Sequence, residues 1–252
     1  MAARKYKRPP IKEALCAFNF APISEWNFTV PGKLHSVIQD EYPGEPRNIA
    51  IQTIIPPVGE GQNPNIGIQN EIRVQIPNLD NSKIVVVGKD VISVSVLQPY
   101  EGWEQFKPRI ERVLSAYYKI NHPKEVVRVG LRYINQISVP QAKANAGEYF
   151  NVVPQIKTSA SGDDNSLHLS NFMHRSEYIA NDDVKVIVTN AGLITSDIGK
   201  SEYILDVDTI WDREPIQDFT QAMEVLEKLH TLEGGVFEGM ITDKARGLFD
   251  AD

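Results

Sequence analysis

Apolar side chains in this chain recur at every second residue in clusters of neighbouring segments, and take up helical spacing after each cluster has ended. A period of two places successive side chains on opposite faces of a strand, whereas a stripe at i, i+3, i+4 and i+7 belongs to one face of a helix. Strands that follow one another without an intervening helix pair antiparallel through short connections. The order therefore predicts an α+β fold built mostly on antiparallel sheets, not a βαβ alternation.

The sharpest alternation covers 126–139, where Val127, Val129, Leu131, Tyr133 and Ile137 share one face and Arg128, Gly130, Arg132 and Gln136 the other. Further strands are expected over 11–20, 49–55, 66–76, 84–87 and 91–97, the last two joined as a hairpin by Gly88, Lys89 and Asp90. In the second half they are expected over 167–179, 184–188 and 203–211. Two long amphipathic helices stand out. One covers 103–120, with Trp103, Phe106, Ile110, Val113, Leu114 and Tyr117 on one side and Pro123 behind it. The other covers 217–230, turning Phe219, Ala222, Met223, Leu226 and Leu229 inward, and the pair Gly234-Gly235 is expected to break it before a last helix at 236–248. Shorter helices are expected after Val30-Pro31-Gly32 and over 146–153, with loops at 58–65 and 158–166.

Both 13–124 and 125–252 run strand, short helix, several strands, long helix. The shared order reads as a duplicated unit, either one compact body or two tightly packed subdomains, behind a basic mobile arm at 1–12.

A chain of 252 residues with 42% hydrophobic content can bury a core without disulfide or metal staples. Its single cysteine, Cys16, lies in an apolar run and reads as a small buried hydrophobe in a reducing compartment. No stretch approaches the roughly 18 uncharged apolar residues of a membrane helix, and Pro9-Pro10 interrupts the basic start before a secretory leader takes shape. A cytoplasmic protein without membrane contact is expected.

The nucleophile elbow, the phosphate-cradling P-loop, the dinucleotide-binding glycine pattern and the H-E-x-x-H zinc motif are all missing, and no cofactor is indicated. Five histidines are scattered; His168 and His174 are spaced to share a strand face. Asp206 and Asp208 likewise point to one side of a strand and form a candidate metal pair, with Glu202 on the same alternation. Tyr133 and Asn135 fall on the core-facing side of 126–139. A buried Asn there needs partners, so these two form a candidate polar cluster.

Charge is unevenly spread. Residues 1–12 hold five basic side chains and no acid, 13–124 are nearly balanced, and 125–252 carry twenty-one acids against eleven bases. Arg109, Arg112 and Lys119 share a sector of the first long helix, and Arg128 and Arg132 share a face of the next strand. Together they form a candidate anion or nucleic-acid surface.

Several short blocks carry a resemblance: Arg8-Pro9-Pro10-Ile11 with Glu13, the run Gly130-Leu131-Arg132-Tyr133-Ile134-Asn135, Leu205-Asp206-Val207-Asp208, and Leu229-His230 with Phe237 and Thr242 downstream. They resemble a sporadically distributed prokaryotic family of about this length that has no assigned activity. The resemblance implies mobile or defence-related gene neighbourhoods and transfers no catalytic role to any residue. The expectation is a non-enzymatic interaction or accessory subunit of a prokaryotic, antiviral-type complex with a protein partner. The alternatives are a nucleic-acid-binding module and a metal-dependent enzyme acting on a phosphate-containing substrate.

Overall fold

The computed structural model describes residues 4–22, 26–55, 67–154, 171–181, 184–193 and 199–250. The expected loops at 58–65 and 158–166, and His168, lie outside them. The elements run β1 (Ile11–Phe20), α1 (Val30–Ile38), β2 (Arg47–Ile55), β3 (Gly67–Pro77), β4 (Lys83–Val87), β5 (Val91–Leu97), α2 (Trp103–Asn121) and β6 (Val126–Val139). The chain continues through β7 (Met173–Ile179), β8 (Lys185–Leu193), β9 (Ser201–Trp211), α3 (Phe219–Met240) and α4 (Asp243–Asp250).

The nine strands of the described residues join one sheet in the order β2-β3-β4-β5-β1-β6-β9-β8-β7, and every pairing is antiparallel. The α+β architecture read from the period-two clusters is the one observed. The first strand of each half meets at the centre: Ala14 pairs Tyr133, Cys16 pairs Leu131 and Phe18 pairs Val129. Outward from that seam, β1 is flanked by β5 and β6 by β9, the last strand of each half's own run. The halves are thus arranged alike on either side of one antiparallel ladder and share a single sheet.

One face of this sheet carries the core. Phe18, Leu131 and Val94 pack there with Leu34 and Ile38 of α1, Phe106, Ile110 and Tyr117 of α2, and Leu226 and Leu229 of α3. A second cluster gathers Ile137, Leu205 and Val207 with Phe237, Met240 and Phe249. Each such side chain, fully buried, contributes about 1.5–3 kcal/mol. The opposite face holds Arg128, Gly130 and Arg132 of β6 beside Asp206 and Asp208 of β9, as the alternation requires.

Three expectations need correction. Helix α3 does not break at Gly234-Gly235 but runs on to Met240. Two interior glycines cost a helix about 2 kcal/mol, which burying Leu229, Phe237 and Met240 on one stripe outweighs. The helix begins at Phe219, where the Asp218 side chain caps it by accepting from the Thr220 amide at 2.9 Å. The helix expected over 146–153 is a single 3-10 turn, Ala146–Glu148. Finally, the arm is not loose over its described length. Arg8 N–H donates to the Phe249 carbonyl at 2.9 Å, the Gln136 amide donates to the Pro10 carbonyl at 2.9 Å, and Tyr6 packs edge-on to Phe249 and Phe237. Arg4 pairs with Asp250 and Lys5 with Glu104.

No helix among the described residues is long and apolar enough to cross a membrane. Cys16 is fully buried, and burial holds its thiol well above the ordinary range, which suits the small-hydrophobe reading.

Candidate functional site

Two strand residues singled out by the sequence, Tyr133 and Asn135, occupy alternate positions on the covered face of β6, between the start of α2 and the second half of α3. Asn135 is 2% exposed and donates from Nδ2 to the Leu205 carbonyl at 3.1 Å. Beyond them opens a cavity of about 550 Å³, within the range of pockets that hold small molecules. The arm, through Tyr6 and Pro9 to Ile11, forms one wall. The link from β5 and the start of α2 form another, where Gly102 takes a φ of 98° that side-chain-bearing residues rarely adopt, and so turns the chain into the helix. Helix α3 closes the third side with His230, Glu233, Gly234 and Phe237, spaced to fall on a single stripe.

The walls are aromatic. Trp103 stacks on His230 with ring centres 3.9 Å apart and planes at 15°, and Tyr100 stands edge-on to Tyr133 at 5.7 Å and 90°. The two tyrosine hydroxyls lie 3.0 Å apart. Burial pushes both phenols above their ordinary pKa, and it keeps His230 below its own, so the imidazole is neutral at pH 7. His230 Nδ1 is buried without a hydrogen-bond partner.

Glu233 is the exceptional member. It is 6% exposed, lines the cavity and has no hydrogen-bond or ion-pair partner among the described residues. Desolvation alone lifts its carboxyl from 4.5 to about 8, and its charge lies close enough to Tyr100 and Tyr133 to raise their phenols further. A carboxyl of this kind carries its proton at pH 7 and can donate a hydrogen bond. It can also release that proton to meet a positive charge.

The basic candidates do not converge. Arg109 of α2 is buried between Glu41, at 2.5 Å, and Glu101, at 2.9 Å; these carboxylates outweigh desolvation and hold its pKa above the ordinary value. Arg112 pairs with Asp40 at 2.5 Å and Lys119 is exposed on the same helix. Arg128 and Arg132 lie across the sheet, on the face that α2 does not cover. There Arg132 grips Asp206 with a two-pronged contact, Nε to Oδ1 at 2.8 Å and Nη2 to Oδ2 at 2.6 Å. Arg128 Nη1 donates to Asn19 Oδ1 at 3.3 Å.

Asp206 and Asp208 do share a face, but both oxygens of Asp206 are committed to Arg132. Asp208 is lifted to about 6 by burial, against the pull of Arg128 and Arg132. Among the described residues no three His, Cys, Asp or Glu side chains gather as a metal site. Glu202 hydrogen-bonds Ser138 Oγ at 2.6 Å, and His174 on β7 bonds Ser176 at 2.6 Å. A shallower surface cleft of about 430 Å³ lies beside Gly44 and Pro77. Among its polar side chains, Arg47 bonds Gln75 and Asn81, and Asn78 bonds Ser82.

Sequence reasoning missed Glu233, Trp103, Tyr100 and His230 as site residues. Glu233 was within reach: it follows Met223, Leu226 and His230 at alternating steps of three and four, once the helix is carried past His230 up to its glycine pair. The Trp103–His230 stack has no such signal, because it joins residues from different halves. No family model matches the chain, and no curated protein matches it.

Proposed function

We propose that the protein is a binding subunit whose ligand is a small molecule held in the cavity beneath the arm. The observation that carries this reading is the unpartnered Glu233 carboxyl, buried at the wall of an aromatic cavity large enough for a ligand. A nearly buried carboxyl that opens onto a cavity and meets no partner there among the described residues is costly to ionise, so a side chain of this kind marks a site more than a core. The cavity draws walls from both halves and from the arm, so a ligand would bear on the packing of all three.

The wider setting, an accessory subunit of a prokaryotic, antiviral-type complex with a protein partner, is supported by the sequence resemblance and by the concentration of acid in 125–252. Of the two alternatives, the nucleic-acid reading loses support because its five basic residues are divided between opposite sides of the sheet, three of them in ion pairs. The metal reading loses support because Arg132 occupies Asp206.

Two measurements test the proposal. Full-length protein purified from its host without denaturation, then unfolded, should release a small molecule in near-stoichiometric amount, identified by mass. Affinity capture from the same host should return a partner at physiological salt. A preparation that releases nothing, with a melting temperature unmoved by a panel of nucleosides, amines and carboxylates, would remove the ligand site. Recovery of this chain alone would remove the partner.

A further inference from the structure

The cavity's charges reveal what kind of ligand it takes. Glu101 is bridged to Lys83 at 3.2 Å and to Arg109 at 2.9 Å. Glu104 is bridged to Lys5, and Glu238 to Arg246 at 2.8 Å. On the arm, Arg4 is held by Asp250, and Lys7 is also engaged. With these pairs set aside, Glu233 is the charge-bearing group of the cavity left without a partner among the described residues. The cavity it lines is walled by the aromatic rings of Trp103, Tyr100 and Tyr133, whose faces are electron-rich.

We infer that the cavity is a site for a small flat organic cation of the amidinium type, whose N–H groups meet the Glu233 carboxylate while its plane lies against an aromatic ring of the wall. The inference rests on the reading of the cavity as a ligand site. Aromatic faces attract cations, more strongly where both are desolvated, and they repel anions. A planar N–H cation also matches the two oxygens of one carboxylate with parallel hydrogen bonds. A neutral ligand can hydrogen-bond the protonated acid but draws nothing from the charge. An anion meets a carboxyl and π clouds, and the cations lining the cavity, Arg4, Lys5 and Lys7, are already engaged.

Binding carries a proton signature. In the empty site the Glu233 carboxyl holds its proton up to a pH of about 8. A bound cation favours the carboxylate, so at pH 7 the proton leaves to solvent as the ion pair forms. The titratable and charged groups that line the cavity with Glu233 are Tyr100, Glu101 and Glu104 from the link and α2, Tyr133 from β6, His230 and Glu238 from α3, and Arg4, Lys5, Tyr6 and Lys7 from the arm, whose cations are engaged as described. Both buried phenols stay protonated and the imidazole neutral at pH 7, and the carboxylates of Glu101, Glu104 and Glu238 are already paired with cations. The released proton is therefore that of Glu233.

The test is calorimetry on the full chain with three probes of one shape: benzamidine, benzamide and benzoate. Titrations run in two buffers of different ionisation enthalpy. The expected result is benzamidine binding at least tenfold more tightly than benzamide, no binding of benzoate, and release of close to one proton at pH 7 that falls toward none at pH 9. In Glu233→Gln, which keeps the shape of the side chain, benzamidine should bind no better than benzamide. Benzamide or benzoate binding as tightly as benzamidine overturns the cation assignment and leaves a ligand site of other chemistry. A benzamidine preference that survives in Glu233→Gln overturns it as well. Binding of none of the three also overturns it. The ligand site itself then stands or falls on whether the native preparation releases a small molecule.

Discussion

At the scale of single residues, buried carboxyls set the pH response of this protein. The Glu233 carboxyl titrates near 8 in the folded chain and at the ordinary 4.5 when unfolded. Between those values the native state keeps a proton that the unfolded chain has given up. Stability therefore falls as pH rises through the window, with the full loss present above about 8. Glu233→Gln removes that loss. Urea denaturation should find the variant more stable than the parent by on the order of 3–5 kcal/mol at pH 8.5, with the two converging near pH 5. Stability curves that run parallel across this range would refute the assignment. Asp208, lifted by burial to about 6, acts with the same sign at lower pH and leaves the variant a residual slope between about pH 4 and 6.

At the scale of elements, helix α3 is the piece on which the site depends. It carries His230 and Glu233 to the cavity, and by continuing through Gly234 and Gly235 it adds Phe237 to the same stripe. Gly235 is an exposed helical residue with nothing within 4 Å of the place a Cβ would take. Its glycine therefore contributes only backbone freedom to the unfolded chain. Gly235→Ala should raise stability by about 0.5–1 kcal/mol in chemical denaturation and leave the cavity unchanged. A loss of stability would show that the glycine is needed where it stands. The broken helix expected from the sequence follows from treating a Gly-Gly pair as local punctuation. Helix propensity is a weak term, and here the burial of one apolar stripe overrides it.

At the scale of the whole molecule, the β1–β6 ladder decides how the two halves relate. Ala14, Cys16, Phe18, Leu131 and Tyr133 are buried on both sides of that seam. Separating the halves would expose two long strand edges together with their apolar faces. Expressed alone, 1–124 and 125–252 should each be insoluble or unfolded, whereas the two expressed together should assemble into a complex with the circular dichroism of the intact chain. A monomeric half that unfolds cooperatively would show that the ladder joins two independent domains. The same seam explains the cavity, whose walls come from the arm, from the end of the first half and from the second half.

The sequence by itself determined the fold class, the strands flanking the seam, helix α2, and which face of β6 would bear Tyr133 and Asn135. These rest on periodicity within single segments, and burial of one face enforces that periodicity locally. It also placed Asp206 and Asp208 side by side for the same reason. Only the tertiary structure decided that Arg132 closes on Asp206 and that Arg109 is sealed between Glu41 and Glu101. It likewise decided that the arm lies against Phe249, and that Trp103, Tyr100 and His230 meet around Glu233. These contacts join residues far apart along the chain. Nothing in the local pattern of either partner records such a contact, because the order in which strands enter a sheet sets which distant side chains face one another.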